Sequence, residues 1–297
     1  MIEYRNNIFA LHGDGFTCLL RVNRYGLLEQ LHFGEPVSAE DADAFLLKQG
    51  LGWGTSVLLD DSDSESCPDT MALAWSGSGR GDYRQSPLET GNVTDFRYAD
   101  HQILDGIVPM ASPLPQAKGA AQSLVIRMTQ PGAELYLHFS VFGGVLTRRT
   151  VLKNTGGSPI TLHKIMSFLM DLPGDYKMTT FNGGWIAEMR KNTLPVRQSQ
   201  VVNESVTGFS SHRHNPGFLL SELDATEDAG RVYGFNLIYS GNHYAAAQRS
   251  LQGLTRVMQG ISPANFIALL QPGECLETPE AVMAFSDAGF GGLSSKM

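Results

Sequence analysis

Ser123-Leu124-Val125-Ile126-Arg127-Met128, Ala133-Glu134-Leu135-Tyr136-Leu137-His138-Phe139-Ser140-Val141, Leu146-Thr147-Arg148-Arg149-Thr150-Val151-Leu152 and Ile160-Thr161-Leu162-His163-Lys164-Ile165-Met166-Ser167-Phe168 succeed one another with only short breaks. In the second run Leu135, Leu137 and Phe139 alternate with Glu134, Tyr136 and His138, the period of a strand with one buried face. The breaks, Gln130-Pro131-Gly132, Phe142-Gly143-Gly144 and Asn154-Thr155-Gly156-Gly157-Ser158-Pro159, have turn composition. Four strands at this spacing, with no helix between them, predict an antiparallel meander in a β-sandwich.

Working outward, residues 93–107 read as a strand around Thr94-Asp95-Phe96-Arg97-Tyr98, and residues 109–115 as a proline-rich connection. Residues 2–33 carry short apolar runs broken by His12-Gly13-Asp14-Gly15 and Asn23-Arg24-Tyr25-Gly26, which predicts hairpins. Residues 38–48 predict one short helix: Ser38 caps it, acids crowd its first turns, and Ala42, Phe45 and Leu46 share a face. Downstream, a strand pair is expected in residues 178–188 around Asn182-Gly183-Gly184-Trp185. Further strands are expected at 254–258, 268–270 and 278–285, with a turn at Gln271-Pro272-Gly273-Glu274. No repeat, low-complexity tract or flexible linker interrupts the series, so one large all-β unit with a few short helices is predicted.

At 297 residues the chain is long enough for one large core. A hydrophobic content of 42% with 18% charged residues describes a soluble globular chain. The net charge of −8 argues against nucleic acid or anionic membrane as partner, since phosphate binding needs a basic stripe. Residues 1–10 hold Glu3, Arg5 and two asparagines without a long apolar run, so neither a signal peptide nor a membrane span is expected, and the predicted location is cytoplasmic. Cys18, Cys67 and Cys275 are odd in number and widely spaced, which fits reduced thiols.

Several stretches could carry chemistry. Trp75-Ser76-Gly77-Ser78-Gly79-Arg80-Gly81-Asp82-Tyr83-Arg84-Gln85-Ser86-Pro87-Leu88-Glu89 combines three closely spaced glycines with two arginines, an aspartate and two aromatics, which suits either a polyol or anion contact or a turn. Its Arg80-Gly81-Asp82 tripeptide is that of an adhesion motif, but no secretion signal accompanies it. Asp60-Asp61-Ser62-Asp63-Ser64-Glu65 alternates carboxylates as a calcium loop does, yet lacks the central glycine and the distal glutamate, and reads as a solvated acidic loop. His212 and His214 would share a strand face and could ligate a metal, but no third ligand is evident, and a polar cluster with Arg213 and Asn215 is the alternative. Trp53, Trp75, Tyr83, Trp185 and Tyr239 are candidates for stacking on a sugar, although most rings in a sandwich are core. Asp60, Asp61, Asp82 and Asp95 are available carboxylates, but sequence cannot set two of them across a glycosidic bond. No cofactor or phosphate fingerprint stands out.

Read together, Trp53-Gly54-Thr55, Ser76 to Pro87, Val93-Thr94-Asp95-Phe96-Arg97-Tyr98, Arg148-Arg149-Thr150 to Asn154-Thr155-Gly156, Ser211-His212-Arg213-His214-Asn215-Pro216 and Gln271-Pro272-Gly273-Glu274 to Thr278-Pro279-Glu280 occur in an order that resembles the amino-terminal region of bacterial α-galactosidases of glycoside hydrolase family 36. The resemblance covers nearly the whole chain. It implies a galactose-mutarotase-like β-supersandwich over residues 1–285, with residues 286–297 leading to a TIM-barrel catalytic domain that lies outside this chain together with the nucleophile and acid/base aspartates. No catalytic residue and no metal or other cofactor is therefore expected here. The resemblance further implies a parent enzyme that cleaves terminal α-1,6-galactosides such as melibiose and raffinose by a retaining mechanism, and a homo-oligomer, commonly a tetramer, in which this domain reaches towards a neighbouring subunit's active site. On that basis Trp53, Asp60 and Asp61 are the expected substrate contacts. Two other readings stand beside it: a separate galactoside-binding module, and a mutarotase-like enzyme using His212 or His214, the latter resting on fold analogy alone.

Overall fold

The computed structural model describes residues 1–47, 57–119 and 121–297. Strands β1 (Ile2–Arg5), β2 (Ile8–Gly13), β3 (Phe16–Val22) and β4 (Leu28–Gly34) form an antiparallel meander. Next come β5 (Leu88–Glu89), β6 (Arg97–Asp105), β7 (Gln122–Gln130), β8 (Ala133–Phe142), β9 (Val145–Asn154), β10 (Ile160–Leu162) and β11 (Lys164–Pro173). The remainder is β12 (Tyr176–Asn182), β13 (Arg190–Pro195), β14 (Val201–Glu204), β15 (His214–Glu222), β16 (Val232–Ile238), β17 (His243–Arg249), β18 (Leu254–Ile261), β19 (Ala268–Leu270), β20 (Cys275–Glu277) and β21 (Glu280–Ser286), with helix α1 (Gly289–Ser294) after them.

Two large sheets dominate. One has the order β13-β12-β15-β16-β21-β9-β8-β7-β6, with β20 added beside β9; the other has the order β14-β17-β18-β11-β5. They face each other across a common apolar core, in the β-supersandwich that the resemblance implies. The Phe168 ring of β11 stacks on Phe235 of β16 at 5.5 Å, and Phe235 stacks on Phe218 of β15 at 4.8 Å, so three aromatics tie the sheets together. Burying each such ring stabilises the fold by about 1.5–3 kcal/mol. β8 shows the period that the sequence predicts, with Leu135, Leu137 and Phe139 buried and Glu134, Tyr136 and His138 only half-buried.

The meander of residues 123–168 is present, with one change. The fourth run divides at His163 into β10, which pairs with β19, and β11, which joins the second sheet. All but the last residue of β11 is buried, because sheets and loops cover both its faces. The predicted helix at 38–48 is a short 3-10 helix, Ala39–Phe45, in which the Ser38 hydroxyl accepts from the Glu40 N–H at 3.2 Å and Ala42 is buried. Its apolar face packs on Ala10, Leu19 and Leu31, which supplies the stability that seven residues cannot provide alone.

Buried arginine also shapes this core. Arg148 of β9 is fully buried, donates to the carbonyls of Leu169 (2.7 Å) and Ala74 (2.5 Å), and lies over the Phe139 ring. Burial lowers its pKa to about 9 and raises that of the neighbouring Cys18 thiol to about 11. The effect is to bind the chain at Ala74, where the glycine-rich stretch begins, onto the sandwich.

Candidate functional site

The glycine-rich stretch from Trp75 to Glu89 is a turn drawn inward by charge. Trp75 is in the core, Arg84 is buried, and so is the side chain of Asp82. Arg84 Nε donates to Asp82 Oδ1 at 2.8 Å and its Nη1 to Asp171 Oδ2 at 3.0 Å, while Arg256 Nε and Nη2 reach the two Asp171 oxygens at 2.8 Å each. Arg256 Nη2 also lies 2.8 Å from Asp82 Oδ2. Two carboxylates thus meet two guanidiniums in an alternating, charge-balanced knot. Burial alone would raise the Asp82 pKa, but Arg256 and Arg84 together hold it down at about 2. Arg80 is exposed and pairs with Asp95, which Arg97 also holds. The Arg80-Gly81-Asp82 tripeptide cannot present its aspartate to another molecule, and of the two readings of this stretch the turn is the one observed.

The knot has a consequence for the acidic loop. Arg84 Nη2 donates to the carbonyls of Pro68 and Met71, each at 2.9 Å, and Asp171 accepts from the Leu73 N–H. The segment leaving the loop is therefore clamped to the second sheet, and the loop's far end is fixed. The Met71 side chain then forms part of an open cleft of about 950 Å3, bounded by Arg21, Asn23, Arg24, Tyr25, Glu29, Asp63, Ser66 and the 3-10 helix.

Within this cleft the β3–β4 turn is preorganised. Asn23 Oδ1 accepts from the N–H groups of Tyr25 and Leu27, both at 3.0 Å, and Gly26 takes the positive φ of 75° that the turn requires. Glu29 is buried and bonded to Arg21 Nε and Asn23 Nδ2, each at 2.9 Å. Asp63 accepts from Ser66 Oγ, from Tyr25 OH at 2.9 Å and from Arg24. The Ser66 hydrogen bond, with those of Tyr25 and Glu65 N–H and the Arg24 charge, holds the Asp63 carboxyl at about 2.

Asp60 and Asp61 are exposed on the same loop but do not border the cleft; Asp63 does. Asp60 Oδ1 accepts from the Ser62 N–H and Oγ, which lowers its pKa. Trp53 lies outside the described residues. The cleft residues Arg24, Tyr25 and Glu29 do not stand out in the sequence, because Asn23-Arg24-Tyr25-Gly26 reads only as a turn; its opposite charge to the Asp60–Glu65 run is the one signal that points to them. Chemically, the cleft offers fixed guanidinium, amide, phenol and carboxylate groups, the set that holds hydroxyl groups. A glycosidic general acid needs a raised pKa, and Asp63 is driven the other way.

The other candidates are dispersed. His212 is in an exposed turn, and His214 begins β15 with its Nδ1 3.1 Å from Asn182 Oδ1, so the two do not share a strand face. Among the described residues no three His, Cys, Asp or Glu side chains gather as a metal-binding group, and no helix is long and apolar enough to cross a membrane. Tyr239 is packed against the core, Tyr83 is exposed, and Trp185 is 85% exposed at the tip of the β12–β13 hairpin.

Residues 26–271 match the family model described as the glycosyl hydrolase family 36 N-terminal domain. The chain is 33% identical over 301 aligned residues to alpha-galactosidase AgaA of Geobacillus stearothermophilus, covering 96% of this chain and 41% of that one. It is 32% identical to alpha-galactosidase 2 of Hypocrea jecorina, covering 99% of this chain and 40% of the relative. The crystal structure of alpha-galactosidase AgaB from Geobacillus stearothermophilus superposes with a TM-score of 0.91 at 30% identity, over 99% of this chain and 42% of that one. A variant of AgaA solved in complex with raffinose superposes with a TM-score of 0.90. The chain thus spans about two fifths of the length of these relatives.

Proposed function

The chain belongs to glycosyl hydrolase family 36 as its amino-terminal domain, and from that premise we propose that it is the structural and assembly domain of an α-galactosidase acting on terminal α-1,6-galactosides such as melibiose and raffinose. The catalytic aspartates of a retaining mechanism would lie in the barrel domain beyond this chain, which by itself would be inactive. Within a cytoplasmic homo-oligomer, the acidic loop and the stretch around Trp53 would approach a neighbouring subunit's active site and contact substrate through Trp53, Asp60 and Asp61. The observation that supports this reading is the match of nearly the whole chain, at high structural similarity, to one domain of solved α-galactosidases. The cleft beside the acidic loop, with its dense fixed donors and acceptors, is consistent with a surface that meets a polyol.

A chromogenic α-galactoside tests the core of the proposal. The 297-residue chain is expected to show no turnover, and the protein extended through its barrel is expected to hydrolyse the substrate. Activity of the chain alone would place the chemistry in residues whose role is otherwise structural. In the extended protein, Trp53→Ala is expected to raise KM for raffinose, and unchanged kinetics would remove that residue from the substrate surface. Calorimetric titration of galactose and raffinose into the chain alone separates this reading from a galactoside-binding module, which would give heat at millimolar ligand.

A further inference from the structure

The outer face of the large sheet carries charge where it is covered. β6 and β7 pair as far as Asp105 and Gln122, and the connection between them, residues 106–119 and 121 among those described, folds back as a strap bonded to β9, β20 and β21. Register sets the side chains beneath it in two rows: Ser123, Ser140 and Thr147, then Val125, His138 and Arg149. The alternate residues Leu124, Leu137, Phe139 and Leu146 belong to the core, as the period of a strand requires. Glu277 of β20 and Glu280 of β21 complete the patch. Ser123, Ser140, Thr147, Arg149 and Glu280 are buried, and so is the side chain of Glu277.

The strap is held by these polar groups. Arg149 Nη2 donates to the carbonyls of Val108 (3.1 Å) and Pro109 (3.4 Å), and its Nε to Glu277 Oε1 at 2.8 Å. Glu277 Oε2 accepts from the N–H groups of Ala111 and Ser112, at 3.0 Å each, and from Ser112 Oγ at 2.9 Å. Glu280 accepts from Ala117 N–H and from Thr147 Oγ1, both at 2.7 Å. Among the described residues, no side chain from 106 to 119 joins an apolar cluster, and Ala111, Pro113, Pro115 and Lys118 are exposed.

Folding alone does not account for this patch. Buried ions seldom stabilise a fold more than apolar side chains of similar size, so placing Arg149, Glu277 and Glu280 under a polar strap gains little stability. Nδ1 of His138, next to Arg149 in the second row, is buried without a hydrogen-bond partner, which costs stability. The strap answers each group with its opposite, carbonyls to the guanidinium and N–H or O–H groups to the carboxylates. A molecule in its place has to offer both over a small area, as hydroxyl groups do, each being donor and acceptor. An anion would face Glu277 and Glu280, a cation would face Arg149, and an apolar molecule would leave all three unpaired. Two rows on three strands cover about 10 Å by 7 Å, the footprint of one sugar ring.

We propose that Ser123, His138, Thr147, Arg149, Glu277 and Glu280 form a binding site for a polyhydroxy ring of monosaccharide size, and that residues 106–119 lie in it as a built-in occupant that keeps it closed. The site shares no residue with the cleft beside the acidic loop and does not depend on the proposed enzymatic role.

Opening the strap tests this. In one variant, residues 107–120 are replaced by Asn-Gly, a two-residue hairpin connection between Gly106 and Ala121. In a second, the strap keeps its length, and Ala111→Pro, Ser112→Ala and Ala117→Pro remove three of the donors to Glu277 and Glu280. Each is checked for cooperative unfolding and titrated calorimetrically with D-galactose, D-glucose and inorganic phosphate. The unsubstituted chain should give no heat, because the strap fills the site. An opened variant that folds should bind a hexose with millimolar affinity, and Glu277→Gln in that variant should weaken binding roughly tenfold or more. A folded, opened variant that binds no hexose overturns the inference, as does hexose binding that survives Glu277→Gln, or binding of phosphate instead. Equal hexose binding by the unsubstituted chain also overturns it, since an occupant would compete. If neither opened variant folds, the strap is part of the framework and the inference falls. The readout is binding by the chain rather than turnover, so none of these outcomes decides the α-galactosidase reading.

Discussion

The turn at residues 75–89 and the hairpin tip at residues 183–189 are written in similar letters, each with clustered glycines, a tryptophan and neighbouring arginine, yet they end in opposite environments. Trp75 is in the core and Trp185 is 85% exposed. Glycine content sets how tightly each can bend, but charge decides where each goes. The first turn carries Asp82 and Arg84, and the sandwich supplies Asp171 and Arg256 to complete a neutral knot; the second carries Glu188, Arg190 and Lys191, for which no such knot is offered among the described residues. A glycine-rich, arginine-bearing loop is thus a structural latch or an exposed turn according to whether the rest of the fold holds its counter-charges.

The most forceful way to break this contrast is to remove a counter-charge from the latch. Asp171→Asn would leave Arg84 and Arg256 facing Asp82 alone, with an uncompensated buried charge. Loss of one partner from a buried ion network costs roughly 3–5 kcal/mol. Chemical denaturation of the chain should show a loss of that size, and a change confined to the first kcal/mol would mean that the knot is solvated and the contrast with the hairpin tip mistaken.

Acid sharpens the contrast more gradually. Burial, with Arg149 nearby, lowers the His138 pKa to about 3, and burial, with His214 nearby, lowers that of His243 to about 4. Both rings stay neutral in the fold while the unfolded chain takes up protons below about 6.5. Stability should therefore fall as the pH drops from about 6.5 towards about 4, by up to about 1.4 kcal/mol per pH unit for each histidine. Asp82 acts in a lower window: its folded pKa is depressed, so its contribution is complete above about 4, and roughly 2 kcal/mol is lost as the pH falls towards 2. His138→Gln should flatten the upper window in a series of denaturation curves and leave the lower one. An unchanged slope above about pH 4 would show that His138 is hydrated in the fold.

These two windows also mark what the sequence could and could not convey. The strands of residues 123–168 were legible because alternation and turn residues are local signals, and Leu135, Leu137 and Phe139 point inward as their period requires. The division at His163 was not, since it depends on β10 finding β19 more than a hundred residues later. The knot was hidden for the same reason: Asp171 lies within an apolar run, 87 residues from Arg84 and 85 from Arg256, and nothing near it announces a cation. In the cleft, the acidic run drew attention to Asp60 and Asp61 by density of charge, whereas the side chain that meets Arg24 and Tyr25 is Asp63. Which member of such a run turns inward is set by a partner from another hairpin, and that information is not local.

The smallest expected effect completes the contrast. Trp185→Ser removes a ring that touches mainly solvent in this chain, so it should change the unfolding free energy by no more than about 0.5 kcal/mol, the range of surface substitutions that break no cap, knot or core contact. An equal substitution at Trp75, in the core, would cost several times more through the cavity it leaves. If Trp185→Ser destabilised the chain as much as a core change, the ring would be an internal prop of the β12–β13 hairpin despite its exposure. If stability is untouched, the Trp185 ring takes no part in holding the turn, and the difference between the two tryptophans is that Trp75 belongs to the core and Trp185 to the surface.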